Sequence, residues 1–292
     1  KEAKMCVSPV NTIRDLSGHS GCRVMLCQAG GDPFIRKQST SFAYNERLKR
    51  QLLKQKHFNM DAVRTPAVLG AGYDGGFFYF DMEYIPARKM AESIEHLDIE
   101  DILHFLDMLF ESLPLRRKKP GARAAALFSR KIGAVTRNLP RREATVLEAV
   151  RKLRNFDFST VPHSYCCGDL TLENILVTEN RRIYLIDFLD SFYNSWMIDV
   201  AKLFQDLEFR WSYRSLPKDI HRELKLRIAK EVLVKKVVDL EEGVSKLYMI
   251  YHIILLNTLR ILPYTHDTPT LRYLDRTMGD VMKRIDVIKE YL

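Results

Sequence analysis

The segment that most constrains this chain is Cys167-Gly168-Asp169-Leu170-Thr171-Leu172-Glu173-Asn174-Ile175-Leu176-Val177, followed after a polar turn by Ile183-Tyr184-Leu185-Ile186-Asp187-Phe188. Two apolar runs of strand length flank Asn180-Arg181-Arg182, a composition that suits a hairpin turn, so the runs are expected to pair. Pairing sets the amide of Asn174 at the mouth of one strand and the carboxylate of Asp187 at the end of the next. A second carboxylate, Asp169, lies in the loop five residues before the amide. Asn174 and Asp187 are hard oxygen donors of the kind Mg²⁺ prefers. Phosphoryl transfer asks a protein for metal held against the phosphates, an oriented hydroxyl, and positive charge where negative charge spreads. The spacing suits transfer from a magnesium nucleotide, with Asp169 accepting a hydrogen bond from the attacking hydroxyl.

The pattern C-G-D-L-T-L-E-N-I-L-V, then Y-L-I-D-F, then Asp199-Val200-Ala201-Lys202-Leu203 resembles the catalytic core of the aminoglycoside phosphotransferase and choline kinase-like branch of the protein kinase-like superfamily. In that family the first Asp positions the acceptor hydroxyl, the Asn and second Asp bind magnesium, and the D-x-A segment starts a helix that braces the loop. The resemblance implies these roles for Asp169, Asn174, Asp187 and Asp199. One position departs: where the family keeps a His two residues before the first Asp, this chain has Cys167. That His mainly packs and hydrogen-bonds, and a small buried thiol can fill the place.

The N-terminal part supplies a candidate nucleotide site. Residues 16–26 read as strand, small-residue turn and strand, and Ser17, Gly18, Ser20 and Gly21 let backbone N–H groups approach phosphate; an ordinary hairpin turn has the same composition. Residues 34–38 form a strand ending in two cations. Strand alternation sends Arg36 and Lys37 to opposite faces, so only one can serve the nucleotide; the resemblance implies Lys37, as the residue that pairs the α- and β-phosphates, with Arg36 the alternative. Residues 42–58 form an amphipathic helix with Leu48, Leu52 and Leu53 on one face. The family fixes its Lys with a Glu on this helix. Glu46 is the one carboxylate in the run, while Gln51 fits the register better and cannot form an ion pair. Residues 66–73 and 76–86 complete five short strands. The aromatic second of these runs into Met82-Glu83-Tyr84-Ile85-Pro86 and resembles the family's hinge, where backbone groups around Glu83 and Ile85 would read adenine.

From about residue 91 helical periodicity takes over, at 98–113, 122–136 and 141–153, and after the hairpin at 199–209, 221–238, 244–261 and 268–288. The expected fold class is α+β: a protein kinase-like two-lobed fold with a small N-terminal antiparallel sheet lobe, and a larger, mainly helical C-terminal lobe carrying a catalytic hairpin. The expected division is 1–82 for nucleotide binding and 83–292 for the hinge, catalysis and acceptor binding. The apolar stretch 248–262 is broken by His252, Asn257 and Arg260 and falls short of the roughly 20 residues a membrane span needs, so a buried helix is expected.

At 292 residues, with 46 % apolar and 28 % charged side chains, the chain can bury a large core. No signal peptide opens it, and the polar start without Met is expected of a trimmed terminus. Five cysteines, an odd number without C-x-x-C spacing, imply reduced thiols and a cytoplasmic setting. The net charge of +9 asks for an anionic partner: ATP itself, an anionic glycan, or a phosphorylated, lipid-linked sugar met at the inner membrane surface. Arg116-Arg117-Lys118-Lys119 and Arg47, Lys49, Arg50, Lys54 and Lys56 exceed what ATP would use. No nucleic-acid module is recognisable, and a solvated basic face is the plainer alternative. The resulting expectation is an ATP- and Mg²⁺-dependent phosphotransferase acting on a hydroxyl of a small molecule or sugar-containing acceptor. Scattered acidic residues in the helical half favour a neutral or anionic sugar. Cys167 and the weak Glu46 raise one alternative, a nucleotide-binding scaffold of kinase-like fold with little transfer activity. A protein kinase is disfavoured by the lack of an A-P-E segment after Asp187.

Overall fold

Five strands, β1 (Asn11–Asp15), β2 (Cys22–Gln28), β3 (Phe34–Ser39), β4 (Val68–Asp74) and β5 (Phe77–Glu83), pair antiparallel in the order β1-β2-β3-β5-β4. Period-two alternation sets the inner face of β5: Phe78, Phe80 and Met82 are buried between half-exposed neighbours. Against that face packs α1 (Phe42–Lys56), whose Leu48 and Leu52 join the three β5 side chains in one cluster. The expected helix face needs one correction. Leu53 is 51 % exposed, and the buried side of α1 also carries Asn45, Gln51 and Gln55. At 100° per residue Leu53 turns away from Leu52, while the polar side chains repay their burial by tying the helix to the sheet. Asn45 donates to Gly76 O and accepts from Phe78 N, both at 2.9 Å, and Gln55 donates to Pro66 O at 2.9 Å.

The computed structural model describes residues 10–16, 21–58, 62–115, 123–140 and 143–292. They fall into two units, Lys1–Arg88 with Leu176–Asp190, and Lys89–Ile175 with Ser191–Leu292. After the two-residue β6 (Arg88–Lys89) the chain is helical: α2 (Met90–Ser93), α3 (Ile99–Ser112), α4 (Ala124–Arg137) and α5 (Ala144–Asn155). The 3₁₀ turn Leu172–Asn174 then leads into β7 (Ile175–Val177) and its neighbour β8 (Ile183–Leu185), the expected hairpin. Its turn closes with Thr178 N–H donating to Arg182 O at 3.0 Å, and Arg181 takes a left-handed φ of 59°.

Four helices complete the chain: α6 (Trp196–Leu207), α7 (Ile220–Val238), α8 (Gly243–Leu259) and α9 (Thr268–Lys289). The apolar stretch expected to be a core helix is α8, buried almost all round from Ile250 to Leu259, with α5, α6, α7 and α9 packed against it. Among the described residues no helix is long and apolar enough to cross a membrane. The helix expected to begin at Asp199 begins earlier, at Trp196. Ser195 caps it, its Oγ accepting from Met197 N–H at 3.3 Å, so Asp199 lies inside the first turn and is fully buried.

Candidate active site

Two clusters of polar side chains stand out, one in each unit. In the first, β3 register decides which cation goes where. Arg36 lies opposite Asp81 and grips it through two hydrogen bonds of 2.7 and 2.8 Å, with its guanidinium 4.0 Å from the centre of the Tyr79 ring. Lys37, one residue on, points to the other face. It is buried, and its ammonium pairs with the Asp187 carboxylate. Burial alone would lower the Lys37 pKa, yet the Asp187 charge and hydrogen bond outweigh it and hold the pKa above the ordinary lysine value. Asp187 sits just beyond β8 with φ 60°, a left-handed conformation that costs a non-glycine residue energy and marks a place the surroundings enforce.

The expected Lys37 partner on α1 is not Glu46. Glu46 is exposed and pairs with Lys49 at 2.5 Å, one turn along the same helix. Gln51, the alternative, is buried; its amide nitrogen donates to Tyr44 Oη at 3.2 Å and its Oε1 has no hydrogen-bond partner among the described residues. Ser17, Gly18 and Ser20 lie outside the described residues. Gly21 is described, and a Cβ there would stand 2.7 Å from the Tyr44 ring, so any side chain at this place before β2 would have to push that ring aside. Glu83 ends β5, bonded by its N–H to Ala67 O at 2.8 Å, and its side chain accepts from Ala67 N–H at 3.2 Å. Ile85 is buried in the extended segment after β5, and its backbone makes no hydrogen bond among the described residues. Several α1 cations have partners within this unit: Arg50 pairs with Asp190 at 2.9 Å and Lys54 donates to Leu189 O at 2.8 Å. The run 116–119 lies outside the described residues.

In the second unit one face of α6 holds the loop 167–172. Residues three and seven places apart share a helix face, and here they are Asp199, Lys202 and Asp206. Asp199 accepts from the N–H groups of Cys167 and Gly168, each at 2.7 Å, and from the Cys167 thiol at 3.3 Å. Lys202 pairs with Asp169 at 3.0 Å. Asp206 accepts from Leu172 N–H at 2.6 Å and from the N–H and Oγ of Ser212, both at 2.8 Å. Gly168 has φ 88°, a conformation glycine adopts without penalty, which lets the loop turn so that two consecutive N–H groups face one carboxylate. Burial, then the Asp199 charge, pushes the Cys167 thiol well above its ordinary pKa, so Cys167 is a hydrogen-bond donor here and not a thiolate nucleophile. Asn174 donates through Nδ2 to Asp169 O at 2.9 Å and Oδ2 at 3.1 Å, which leaves its Oδ1 without a partner among the described residues. That free oxygen and the Asp187 carboxylate are each hard donors that fit Mg²⁺, which keeps most of its shell as water and phosphate oxygen.

Sequence reasoning assigned no role to Lys202 or Asp206. Their signal was available in the spacing from Asp199, once that residue is known to lie inside the helix. Asp206 carries a test of its own. Burial pushes its carboxyl up to about 6, against the pull of its three donors. A carboxyl whose pKa is higher folded than unfolded stabilises the fold below the unfolded value and loses that contribution as pH climbs toward 6. Asp206→Asn has no such titration. Its destabilisation relative to wild type, measured by urea unfolding, is expected to shrink by roughly 2 kcal/mol between pH 4 and pH 7.

The sequence profile of the Phosphotransferase enzyme family matches residues 12–227. No curated protein matches the sequence. Among solved structures, a thermostable mutant of aminoglycoside phosphotransferase APH(4)-Ia, in ternary complex with ADP and hygromycin B, superposes with a TM-score of 0.63 at 14 % identity, over 97 % of this chain and 93 % of that one. An aminoglycoside phosphotransferase from Alicyclobacillus acidocaldarius superposes with a TM-score of 0.52 at 12 % identity, over 97 % and 93 %. At such identities the likeness concerns fold, and it is the α+β, protein kinase-like fold expected from the hairpin. The profile match takes in all but the first residue of β1, then β2 to β5, the Asp169 loop, the hairpin and all of α6, and on that match the chain belongs to the phosphotransferase enzyme family.

Proposed function

We propose that this phosphotransferase is an ATP- and Mg²⁺-dependent kinase whose acceptor is a hydroxyl of a small molecule or of a sugar-containing compound. The observation that carries the reading is the α6-held loop, in which Asp169 is fixed by Lys202 and Asn174 and still keeps 23 % of its side chain open. A carboxylate so placed can accept the proton of an incoming hydroxyl and hold its oxygen in line. The bond from the γ-phosphorus to the bridging oxygen breaks, a bond from phosphorus to the acceptor oxygen forms, the hydroxyl proton passes to Asp169, and ADP leaves with the bridging oxygen. Lys37 neutralises phosphate charge and Asp187 orients Lys37. Gly21 and the backbone of Glu83 and Ile85 hold the nucleotide, with 1–82 as the nucleotide-binding part and 83–292 as the catalytic and acceptor-binding part. Asn174 Oδ1 and the Asp187 carboxylate would hold Mg²⁺, which supplies positive charge against the phosphates.

The pairing of Asp169 with a buried lysine offsets its negative charge, and the chain as a whole carries +9. Both features suit a neutral or anionic sugar better than a polycation. The scaffold alternative rests on Cys167, and the three hydrogen bonds that Cys167 and Gly168 give to Asp199 weigh against it, because the loop keeps its brace without the His. The test is magnesium-dependent ATP turnover by wild type and Asp169→Ala across aminoglycosides, choline, neutral sugars and sugar phosphates. Asp169→Ala is expected to lose about 10²–10³-fold in kcat on the best acceptor. Nucleotide binding without Asp169-dependent transfer to any acceptor would overturn the reading.

A further inference from the structure

Lys202 is an unusual residue to find where it is. It lies in the middle of α6 with 7 % of its surface exposed, on a helix whose every residue is buried. A lysine is seldom buried without a purpose, because its ammonium must be paired or pay heavily for lost water. Its ion-pair partner here is Asp169 at 3.0 Å, and the Asp206 carboxylate is close enough to feel its charge. Asp169 in turn is gripped from the other side by Asn174 Nδ2 at 3.1 Å. The carboxylate is thereby held by one charged and one neutral donor, with Oδ1 on Lys202 and Oδ2 on Asn174.

That arrangement goes beyond bracing the loop, which Asp199 and Asp206 already do through backbone N–H groups. Lys202 alone on this face of α6 reaches past the loop backbone to the side chain that handles the hydroxyl. We propose that Lys202 is a positioning residue of the transfer reaction, which sets the rotamer of Asp169 and offsets its charge so that an acceptor oxygen and a phosphate can approach the same carboxylate. The proposal rests on the kinase reading above. A carboxylate free to rotate would spend much of its time out of line with the hydroxyl, and misplacement of about 1 Å costs on the order of 10²-fold in rate.

The experiment uses the full chain with the best acceptor found in the Asp169→Ala panel. Lys202→Met, which keeps length and removes charge, is expected to lower kcat roughly 10²-fold while the nucleotide KM changes by less than about threefold. Lys202→Arg is expected to retain more activity than Lys202→Met, and ethylammonium should restore part of the turnover of Lys202→Ala in a saturable way. In an Asp169→Asn background Lys202→Met is expected to add almost no further loss, because the lysine acts through the carboxylate. Unchanged kcat in a folded Lys202→Met protein would overturn the proposal, as would a further loss of roughly 10²-fold in the Asp169→Asn background. If Lys202→Met does not fold, Lys202→Arg and the amine rescue carry the decision, and an inert Lys202→Ala with no rescue counts against it. A wild type with no Asp169-dependent transfer would sink the kinase reading and this proposal together; Asp169-dependent transfer that ignores Lys202 would sink this proposal alone.

Discussion

Asp187→Asn is expected to lower kcat/KM for phosphoryl transfer roughly 10⁴-fold, because removing one preorganised charge typically costs 10²–10³-fold and Asp187 pairs with Lys37 as well as being the proposed Mg²⁺ ligand. Asparagine keeps the size of the side chain and removes its charge, so the loss reads electrostatics and not shape. A second, independent effect falls on stability. Lys37 is 4 % exposed, and without Asp187 its ammonium has no ion-pair partner among the described residues. Removing one partner of a buried pair costs about 3–5 kcal/mol, with the lower end expected here because the Asp187 side chain is itself 36 % exposed.

The pH dependence separates these effects. In wild type the Lys37 pKa is raised, so its contribution to stability is complete below the unfolded lysine value and fades only as pH climbs through the folded one. In Asp187→Asn burial becomes the dominant influence, with Cys22 and Tyr44 opposing it less, so the folded pKa is expected to drop below the ordinary lysine value and the variant to gain stability as pH rises between the two. Urea unfolding at pH 7 and pH 9 is the measurement, with wild type nearly flat in this respect and the variant rising. Lys37→Met combined with Asp187→Asn should recover most of the stability and none of the activity. An Asp187→Asn protein as stable as wild type at pH 7 would show that Lys37 does not depend on this partner.

Asp199→Ala should produce the largest loss of stability from any single substitution in the loop clamp. It strands the N–H groups of Cys167 and Gly168 and the Cys167 thiol beside a residue only 1 % exposed. Each buried donor left unpaired costs about 1–3 kcal/mol, and because the thiol is a weak donor the sum for the three is expected toward the low end of about 3–9 kcal/mol, at about 3–5 kcal/mol. For a chain of this size that is a fall in Tm of about 10 °C. Asp199→Asn should lie between alanine and wild type, since its one oxygen can serve one side while its NH₂ meets a donor on the other. Calorimetry decides: an Asp199→Ala protein melting within about 2 °C of wild type would mean that the loop finds other acceptors. Activity should fall with stability here, because the same carboxylate sets the Gly168 turn that presents Asp169.

The hairpin, the five strands and the long helices were legible because each carries its own period. Phe78, Phe80 and Met82 alternate, the residues of α8 are apolar all round, and Asn180-Arg181-Arg182 breaks two strand-like runs. The start of α6 was not legible, since its cap is Ser195 in a stretch that carries Ser191 and Asn194 as well. The expected helix over 199–209 already held Asp199, Lys202 and Asp206 on one face; what the sequence does not express is that this face meets the loop 167–172, more than 30 positions away. Glu46 drew attention as the sole carboxylate of its helix, yet helix phase turns it to solvent beside Lys49. The partner of Lys37 lies 150 positions along the chain, at a separation no local pattern can express.

Local physics therefore wrote into the sequence which segments are strands and helices, and the residue types and spacing that single out Asp169, Asn174 and Asp187 are local features of it too. Pairing was left to the tertiary structure. Lys37 met Asp187 and not Glu46, Arg36 met Asp81, Cys167 met Asp199 and Lys202 met Asp169. The reason is common to all four. A buried charge or donor takes whichever complementary group the packed backbone brings within about 3 Å, and that proximity is a property of strand register, helix phase and chain reversal acting together, which no single stretch of sequence contains.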